Sequence, residues 1–331
     1  MRVIVIGGTR FIGRATVEEL VAHGHQVLVV HRGETEPLDF VSVDHLHIPR
    51  ASLADAAAAL TAFRPDAALD SVALTRHDAE TALAALPSNI HKVVLSSIDV
   101  YRAYSALLHD TESDPLPLNE TSPVRSERYP YRGQRADMDD YDKLDVEELY
   151  LHEGGTAIRL PMVYGPHDRQ RREEFILRRV RAGRRRIPFG AGTWLRCGGF
   201  VGSMATGIRR ALEQPAVAAG EVFNLADRQT PTIRLWAEHI LQAAEFEAEL
   251  VRVPDEVLPD DLRYTGTVSQ HLLADASKAR HVLGWDPGDA QAGLQRSVAW
   301  HLANPPSEPD SGFDADDRAL ALAHELSTRT E

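Results

Sequence analysis

An α/β fold, a doubly wound parallel sheet followed by a smaller α+β C-terminal lobe, is what the sequence predicts, and three observations predict it. Through the first half, short β-branched runs alternate with longer helical patterns, as successive βαβ units do. A strand ending in glycine runs directly into an amphipathic helix near the N-terminus. After Gly165-Pro166 the order changes to helices interspersed with isolated strands, which marks a second unit. Residues 1–165 are therefore the first domain, its core open to completion by later segments, residues 166–303 the lobe, and residues 304–331 a C-terminal tail.

Val3 to Ile6 and Val27 to Val30 read as buried strands. Between them Phe11, Ile12, Ala15, Val17, Leu20 and Val21 set an apolar stripe on one helix face, closed by Gly24. Ala51 to Phe63 is an alanine-rich helix, Ala67 to Asp70 a fourth strand after Pro65, and Val93 to Ser97 a fifth. From about Leu107 to Gln134 the chain is polar and proline-bearing, too long for a plain connection and therefore read as a functional loop. A helix is expected over about Asp139 to His152 and a strand over Thr156 to Leu160, stopped by Pro161. In the lobe, helices are expected at Glu173 to Arg181, Met204 to Glu213 and Ile233 to Phe246, and strands at Glu221 to Leu225 and Leu250 to Val253. The tail carries Asn304-Pro305-Pro306 and several acids, so a loosely attached end is expected despite a helical pattern at Arg318 to Leu326.

Of the 331 residues 43% are hydrophobic and 26% charged, which is ordinary for a globular chain. No apolar run approaches the ~18 residues of a membrane span, and Met1-Arg2-Val3-Ile4-Val5-Ile6 turns at once into glycines without the apolar core and cleavage site of a signal peptide. The lone Cys197 has no partner for a disulfide, and a cytoplasmic protein is expected. A net charge of -13 repels nucleic acid and anionic membranes, so neither is an expected partner. Arg178, Arg179, Arg181, Arg184, Arg185 and Arg186 crowd together, which reads as a helix C-terminus and a solvated turn. His45 and His47 alternate on a strand, but no His/Asp/Glu set shows a recognisable metal spacing, so no metal is expected.

The turn Gly7-Gly8-Thr9-Arg10-Phe11-Ile12-Gly13 between strand and helix is the arrangement that lays a pyrophosphate on backbone N–H groups at a helix N-terminus, the Rossmann-type site. Gly7 serves the sharp turn and Gly13 the close approach of helix and strand. Four further blocks follow it in order: Ser96-Ser97-Ile98-Asp99-Val100-Tyr101, Lys143-Leu144-Asp145-Val146-Glu147-Glu148-Leu149, Arg159-Leu160-Pro161-Met162-Val163-Tyr164-Gly165-Pro166 and Lys278-Ala279-Arg280-His281-Val282-Leu283-Gly284-Trp285. With these the chain resembles, over roughly residues 1–301, the extended short-chain dehydrogenase/reductases of the NAD-dependent epimerase/dehydratase family. The resemblance implies the fold and a dinucleotide, and says less about the reaction, because the family includes epimerases, dehydratases, reductases and non-redox members.

Two departures from the family pattern bear on the cofactor. The middle glycine is replaced by Arg10, and the acid expected after the second strand is replaced by His31-Arg32. Cations there favour a ribose 2′-phosphate, so NADP is expected, with NAD the alternative. Ile48-Pro49-Arg50 stands where relatives carry an Asp near the adenine, and Ser71-Val72-Ala73 where the family lines the cofactor. The resemblance further implies cofactor contacts from Lys143, Pro161 and Val163.

In such enzymes a tyrosine four residues before a lysine moves the substrate hydroxyl proton, both groups lying on one helix face so that the ammonium lowers the phenol pKa. Here that position holds Asp139, and the nearby tyrosine is Tyr141, two residues before Lys143 and ~200° away in a regular helix. Tyr141 reaches the site if the helix begins only at Lys143; otherwise Asp139 faces the pocket, as a base or as an i,i+4 partner of Lys143, or neither is the acid/base. Ser97 matches the residue that bonds the reacting oxygen, the alternative being a loop cap. Asp99 matches an acid used by sugar-nucleotide dehydratases, the alternative being a turn-former. Arg196 stands near the family's phosphate-gripping arginine, the alternative being a surface residue, and relatives' acids are absent at Gly202-Ser203. Two functions follow: an NADP-dependent epimerase, dehydratase or reductase acting on a sugar or nucleotide-sugar-like small molecule, with a homodimer left open, and a non-redox NAD(P)-binding protein similar to the chloroplast stem-loop RNA-binding branch.

Overall fold

The computed structural model describes residues 1–307 and 312–328, with side chains to residue 325; the rest of the expected tail lies outside the described residues. In its first half the chain runs β1 (Arg2–Ile6), α1 (Phe11–Ala22), β2 (Gln26–His31), β3 (Asp44–His47), α2 (Ala57–Ala62), β4 (Ala67–Asp70), α3 (Arg76–Ala85), β5 (His91–Ser97) and α4 (Arg102–Leu108). It continues through α5 (Lys143–His152), β6 (Thr156–Leu160), β7 (Met162–Tyr164), α6 (Glu174–Arg181), β8 (Arg186–Phe189), β9 (Gly198–Phe200), α7 (Val201–Glu213), α8 (Pro215–Ala218) and β10 (Val222–Asn224). It ends with α9 (Ile233–Ala243), β11 (Glu249–Arg252), α10 (Ser277–Val282), α11 (Ala290–Ala303) and α12 (Asp314–Thr328). Among the described residues no helix is long and apolar enough to cross a membrane.

Seven parallel strands form the central sheet in the order β10-β6-β5-β4-β1-β2-β3. Strand alternation sends Val3 and Val5 into one buried cluster and Ile4 and Ile6 into another, so both faces are covered, as a doubly wound sheet requires. The winding reverses between β1 and β4, and ligands of such sheets bind outside the carboxyl ends of the strands at that point.

Three local expectations change. The alanine-rich segment opens as a 3-10 turn over Arg50–Ala56, after Pro49, before α2 begins. The helix expected from Asp139 starts only at Lys143, because Asp142 caps it, its carboxylate accepting from Leu144 N at 2.9 Å. The strand near Glu221 leaves the second lobe and closes the main sheet beside β6, while α7 packs on α1, joined by Arg209 to Glu19 at 2.8 Å. Both elements thus return to the first unit from beyond residue 165.

The second lobe holds two small parallel pairs, β11-β8 and β7-β9. The long segment after Leu108 carries little regular structure up to Ala136 and bridges the units: Leu118 N donates to Leu273 O and Asp275 N to Leu118 O, both at 2.7 Å.

The tail is not loosely attached over α12. Ala319 and Ala323 are buried, and Asp316 and Arg179, both buried, pair at 2.7 Å. The arginine run does lie at a helix C-terminus and an exposed turn, as expected, but most of its charges are paired with acids: Arg179, itself buried, also meets Asp261 at 2.7 Å, Arg181 meets Glu174, Arg184 meets Asp317, and Arg186 meets Glu249 at 3.4 Å. Asp316→Ala leaves Arg179 with Asp261 as its remaining acidic partner among the described residues, and unfolding free energy in urea should fall by about 3 kcal/mol, the lower end for breaking a buried pair. A change below about 1 kcal/mol would show that the helix is held otherwise.

Candidate functional site

A cleft of about 580 Å³ opens at the carboxyl ends of β1, β2 and β4, lined by Gly7, Thr9, Arg10, Phe11, Ile12, Gly13, His31, Arg32, Ser71 and Val72 among others. Gly7 adopts φ +88°, and a Cβ there would lie 2.5 Å from Val72 Cγ1, while one at Gly13 would collide with the Gly7 carbonyl oxygen. Only glycine fits either position. Ser71 Oγ ties β4 to the turn, donating to Ile6 O at 2.9 Å. The N-cap of α1 is Arg10, whose side chain makes no capping hydrogen bond, so the first N–H groups of the helix are available to an anion. The residues present thus fit a dinucleotide pyrophosphate.

Around the far rim, Arg10 is exposed and has no ion pair or side-chain hydrogen bond among the described residues. Arg32, 61% exposed, meets Glu34 at 2.9 Å. His31 corrects the expectation of a cation: its ring is buried, Nδ1 accepts from Gly33 N at 3.2 Å, Nε2 lies 2.9 Å from His45 Nδ1, and burial followed by the neighbouring His45 and His47 lowers its pKa. Arg50 lines the cleft but is held by Asp70.

The second group of expected residues gathers past this cleft, at the ends of β4, β5 and β6. Asp99 is buried in a 3-10 turn after β5, and Ser97 caps that turn, its Oγ accepting from Asp99 N at 3.2 Å. Tyr141, also buried, donates its hydroxyl to Asp99 Oδ2 at 2.7 Å. Tyr131 O–H reaches the same oxygen at 3.4 Å, and Tyr104 continues the chain, its hydroxyl 2.7 Å from that of Tyr131. Asp99 Oδ1 is buried without a hydrogen-bond partner among the described residues. Burial raises the Asp99 pKa against the opposing pull of Tyr141, Arg125 and Lys143. The Tyr141 phenol is raised well above its ordinary value by burial and then by the Asp99 charge, not lowered by Lys143 as the four-residue spacing would have it. Lys143 Nζ donates to Ala73 O at 2.5 Å and Leu95 O at 2.9 Å, and burial brings it down to about 8. Pro161 and Val163 are buried just beyond β6.

Asp139 does not face this centre. Its carboxylate accepts from Gly133 N at 2.9 Å and its carbonyl from Arg132 Nε at 3.1 Å, within the loop that precedes α5. The late helix start has a cause that sequence reading missed. Arg125, from the long loop, meets Asp142 at 2.6 Å with neither side chain exposed, and donates to Asp99 O at 3.1 Å. The legible signal was the Asp142-x-x-Asp145 pattern before the apolar run, an N-cap signature. Tyr104 and Tyr131 gave no such signal.

In the second lobe Arg196 is buried, not a surface residue; its guanidinium lies 3.6 Å from the Trp236 ring centroid, Nη2 lacks a hydrogen-bond partner among the described residues, and burial followed by Arg172 lowers its pKa to about 10. It borders a cavity of about 1230 Å³ together with Arg172, Trp194 and Trp236. A further cluster contradicts the ground on which no metal was expected: His31, Glu36, His45 and His47 have one ligand atom each within 4.8 Å of the others. The spacing along the chain concealed it because strand register makes the assembly.

A family model described as the NAD dependent epimerase/dehydratase family matches residues 3–226. Among curated proteins the chain is similar to the Arabidopsis thaliana chloroplast stem-loop binding protein of 41 kDa b, 28% identical over 338 residues covering 97% of this chain and 84% of that protein. Among solved structures it is similar to a UDP-glucose 4-epimerase from Thermotoga maritima with UDP-glucose, at TM-score 0.66 and 18% identity over 92% of this chain and 100% of that one. It is similar too to a dTDP-glucose 4,6-dehydratase from Bacillus anthracis in complex with NAD, at TM-score 0.69 and 16% identity over 92% of this chain and 97% of that one. At such identities the structural likeness concerns the fold.

Arg125→Met removes the cation that seats Asp142 and leaves a buried carboxylate whose remaining cationic partner among the described residues is Arg128, 38% exposed, alongside the Tyr129 and Leu144 N–H groups. Unfolding free energy from urea titration is expected to drop by about 3–5 kcal/mol. A loss under 1 kcal/mol would mean that the cap holds without its ion pair.

Proposed function

The chain belongs to the NAD-dependent epimerase/dehydratase family, and from that premise we propose that it is an NADP-dependent enzyme moving hydride at a carbinol carbon of a sugar or nucleotide-sugar-like substrate. The observation that carries this reading is the buried hydrogen bond from Tyr141 to Asp99, 2.7 Å long, past the glycine-turn cleft and near Lys143, which holds the Ala73 carbonyl next to the cleft-lining Ser71 and Val72. A bound dinucleotide supplies the hydride acceptor and donor. The protein's part is the proton: as the substrate hydroxyl gives its proton to the Tyr141 oxygen, Tyr141 passes its own to Asp99 Oδ2, and the return step reverses both transfers. The raised phenol suits a relay of this kind better than a standing phenolate. Lys143 uses two of its three N–H donors on the Ala73 and Leu95 carbonyls, which leaves one for a ribose hydroxyl.

NADP over NAD is supported by Arg10 and Arg32 on the cleft rim. The exposed Arg32–Glu34 pair is of the kind that contributes little to stability, so a phosphate can displace it. The large cavity beside Arg172 and Arg196, with Trp194 and Trp236 in its walls, supports an anionic substrate bearing a flat or ring-shaped group. A second, non-redox reading has the Arabidopsis relative in its favour, whose name describes stem-loop binding. Against it stands the arginine run, paired with acids along most of its length. Turnover of nucleotide sugars with NADP, as opposed to salt-sensitive retention of a stem-loop RNA, separates the two.

In direct titration NADP should bind more tightly than NAD, and Arg32→Ala should narrow the gap by about 1–2 kcal/mol as a charge-assisted bond is lost; equal affinities in the parent would refute the assignment. Tyr141→Phe keeps the ring and removes the relay, so turnover should fall about 10²–10⁴-fold with cofactor affinity hardly changed, while Asp139→Asn should leave turnover intact. The acid limb of the rate profile should lie above the ordinary carboxylate range, since Asp99 must be ionised to receive the proton and burial raises its pKa. Undiminished turnover in Tyr141→Phe would place the proton transfer elsewhere.

A further inference from the structure

β2 and β3 are adjacent parallel strands in which His31 stands opposite His47 and Val29 opposite His45. Residues two apart on a strand share a face, so His45 and His47 project together, and register brings His31 alongside them. Glu36, on the loop from β2 to β3, completes the group. His31 Nε2 lies 2.9 Å from His45 Nδ1 and 3.4 Å from Glu36 Oε1; His45 Nδ1 lies 3.9 Å from the same oxygen, and His47 Nε2 is in contact with it. The ring centroids of the three imidazoles are 4.8 to 6.0 Å apart.

We propose that His31, Glu36, His45 and His47 form a tetrahedral zinc-class metal site at the β3 edge of the sheet. Ligand atoms around such an ion stand ~3.3 Å apart, given metal–ligand bonds of about 2.0–2.2 Å, and the measured separations bracket that value. Three imidazoles and one carboxylate select a borderline transition ion over calcium or magnesium, which take oxygen ligands. Four protein ligands leave no open position, so the site is structural. Ligation at His31 Nε2 places that ring's proton on Nδ1, and the 3.2 Å contact from Gly33 N opens as the turn adjusts. An occupied site fastens the 32–43 loop to the sheet edge and holds the turn carrying Arg32, on the rim of the dinucleotide cleft. The site stands on its own ligands and is independent of the hydride-transfer reading.

The test uses the full chain without a histidine tag, stripped by a chelator and free of dinucleotide, titrated with Co²⁺ and then Zn²⁺. One equivalent of Co²⁺ should give the strong visible absorption of tetrahedral coordination, and Zn²⁺ should abolish it. Glu36→Gln, His45→Ala and His47→Ala should each weaken Zn²⁺ binding by at least about 100-fold, beyond the ~10–100-fold typical of groups that only orient a ligand. His109→Ala, an exposed histidine bonded to Ser105 O, should bind as the parent does. Zn²⁺ should raise the melting temperature of the parent and not of Glu36→Gln, a loop variant whose own fold is checked by circular dichroism. Uptake well under one equivalent, a weak octahedral Co²⁺ spectrum, or unchanged affinity in all three variants overturns the proposal.

Discussion

A buried ion pair governs how this chain presents Tyr141 to Asp99, the groups proposed to move the proton. Arg125 comes from the long loop after α4 and Asp142 immediately precedes α5, and their contact is closed to solvent on both sides. Burial alone would raise the Asp142 pKa, but Arg125 and the Tyr129 N–H hold it below the usual carboxylate range. The same carboxylate accepts from Leu144 N, so Asp142 caps α5 and the residues before it stay outside the helix. Tyr141 is thereby released from the direction a continuous helix would impose and meets Asp99, whose carbonyl Arg125 also holds. A pair of this kind is costly to break in a low-dielectric interior, so an irregular lead-in is set as firmly as the helix that follows.

The cofactor side of the site is built on different terms. Its centre is backbone: a turn that only glycine fits at two positions, an uncapped helix N-terminus, and a serine bridge from β4. Its rim is side chain, with Arg10 exposed and Arg32 in a solvent-facing pair. The backbone part suits the pyrophosphate of any dinucleotide, and the proposed preference for NADP rests on the rim. A scaffold divided in this way keeps its fold while its chemistry varies from member to member.

Charge is used internally to a degree that the net value of -13 conceals. Arginines that look like a basic patch in the sequence are turned onto Asp261, Asp316, Asp317 and Glu249, and through them α12 is fastened to α6 and to the residues near Asp261. Arg172 and Arg196 line the large cavity together with acids such as Asp261 and Asp316.

The sequence by itself determined what depends on neighbours along the chain. Alternation placed Val3 and Val5 on one face and Ile4 and Ile6 on the other, glycines at 7 and 13 specified the turn, and the succession of strands and helices specified the parallel sheet. Ser97, Asp99 and Lys143 were legible too, because they sit in blocks whose order the family resemblance shares. Everything whose partner lies far along the chain was decided by tertiary structure: β10 joining β6, α7 returning to α1, Asp316 docking on Arg179, Arg125 redirecting Tyr141, and His31 meeting His45 and His47. Strand register and buried ion pairs leave no periodic trace in a sequence, since each is fixed by one distant contact rather than by a repeating pattern.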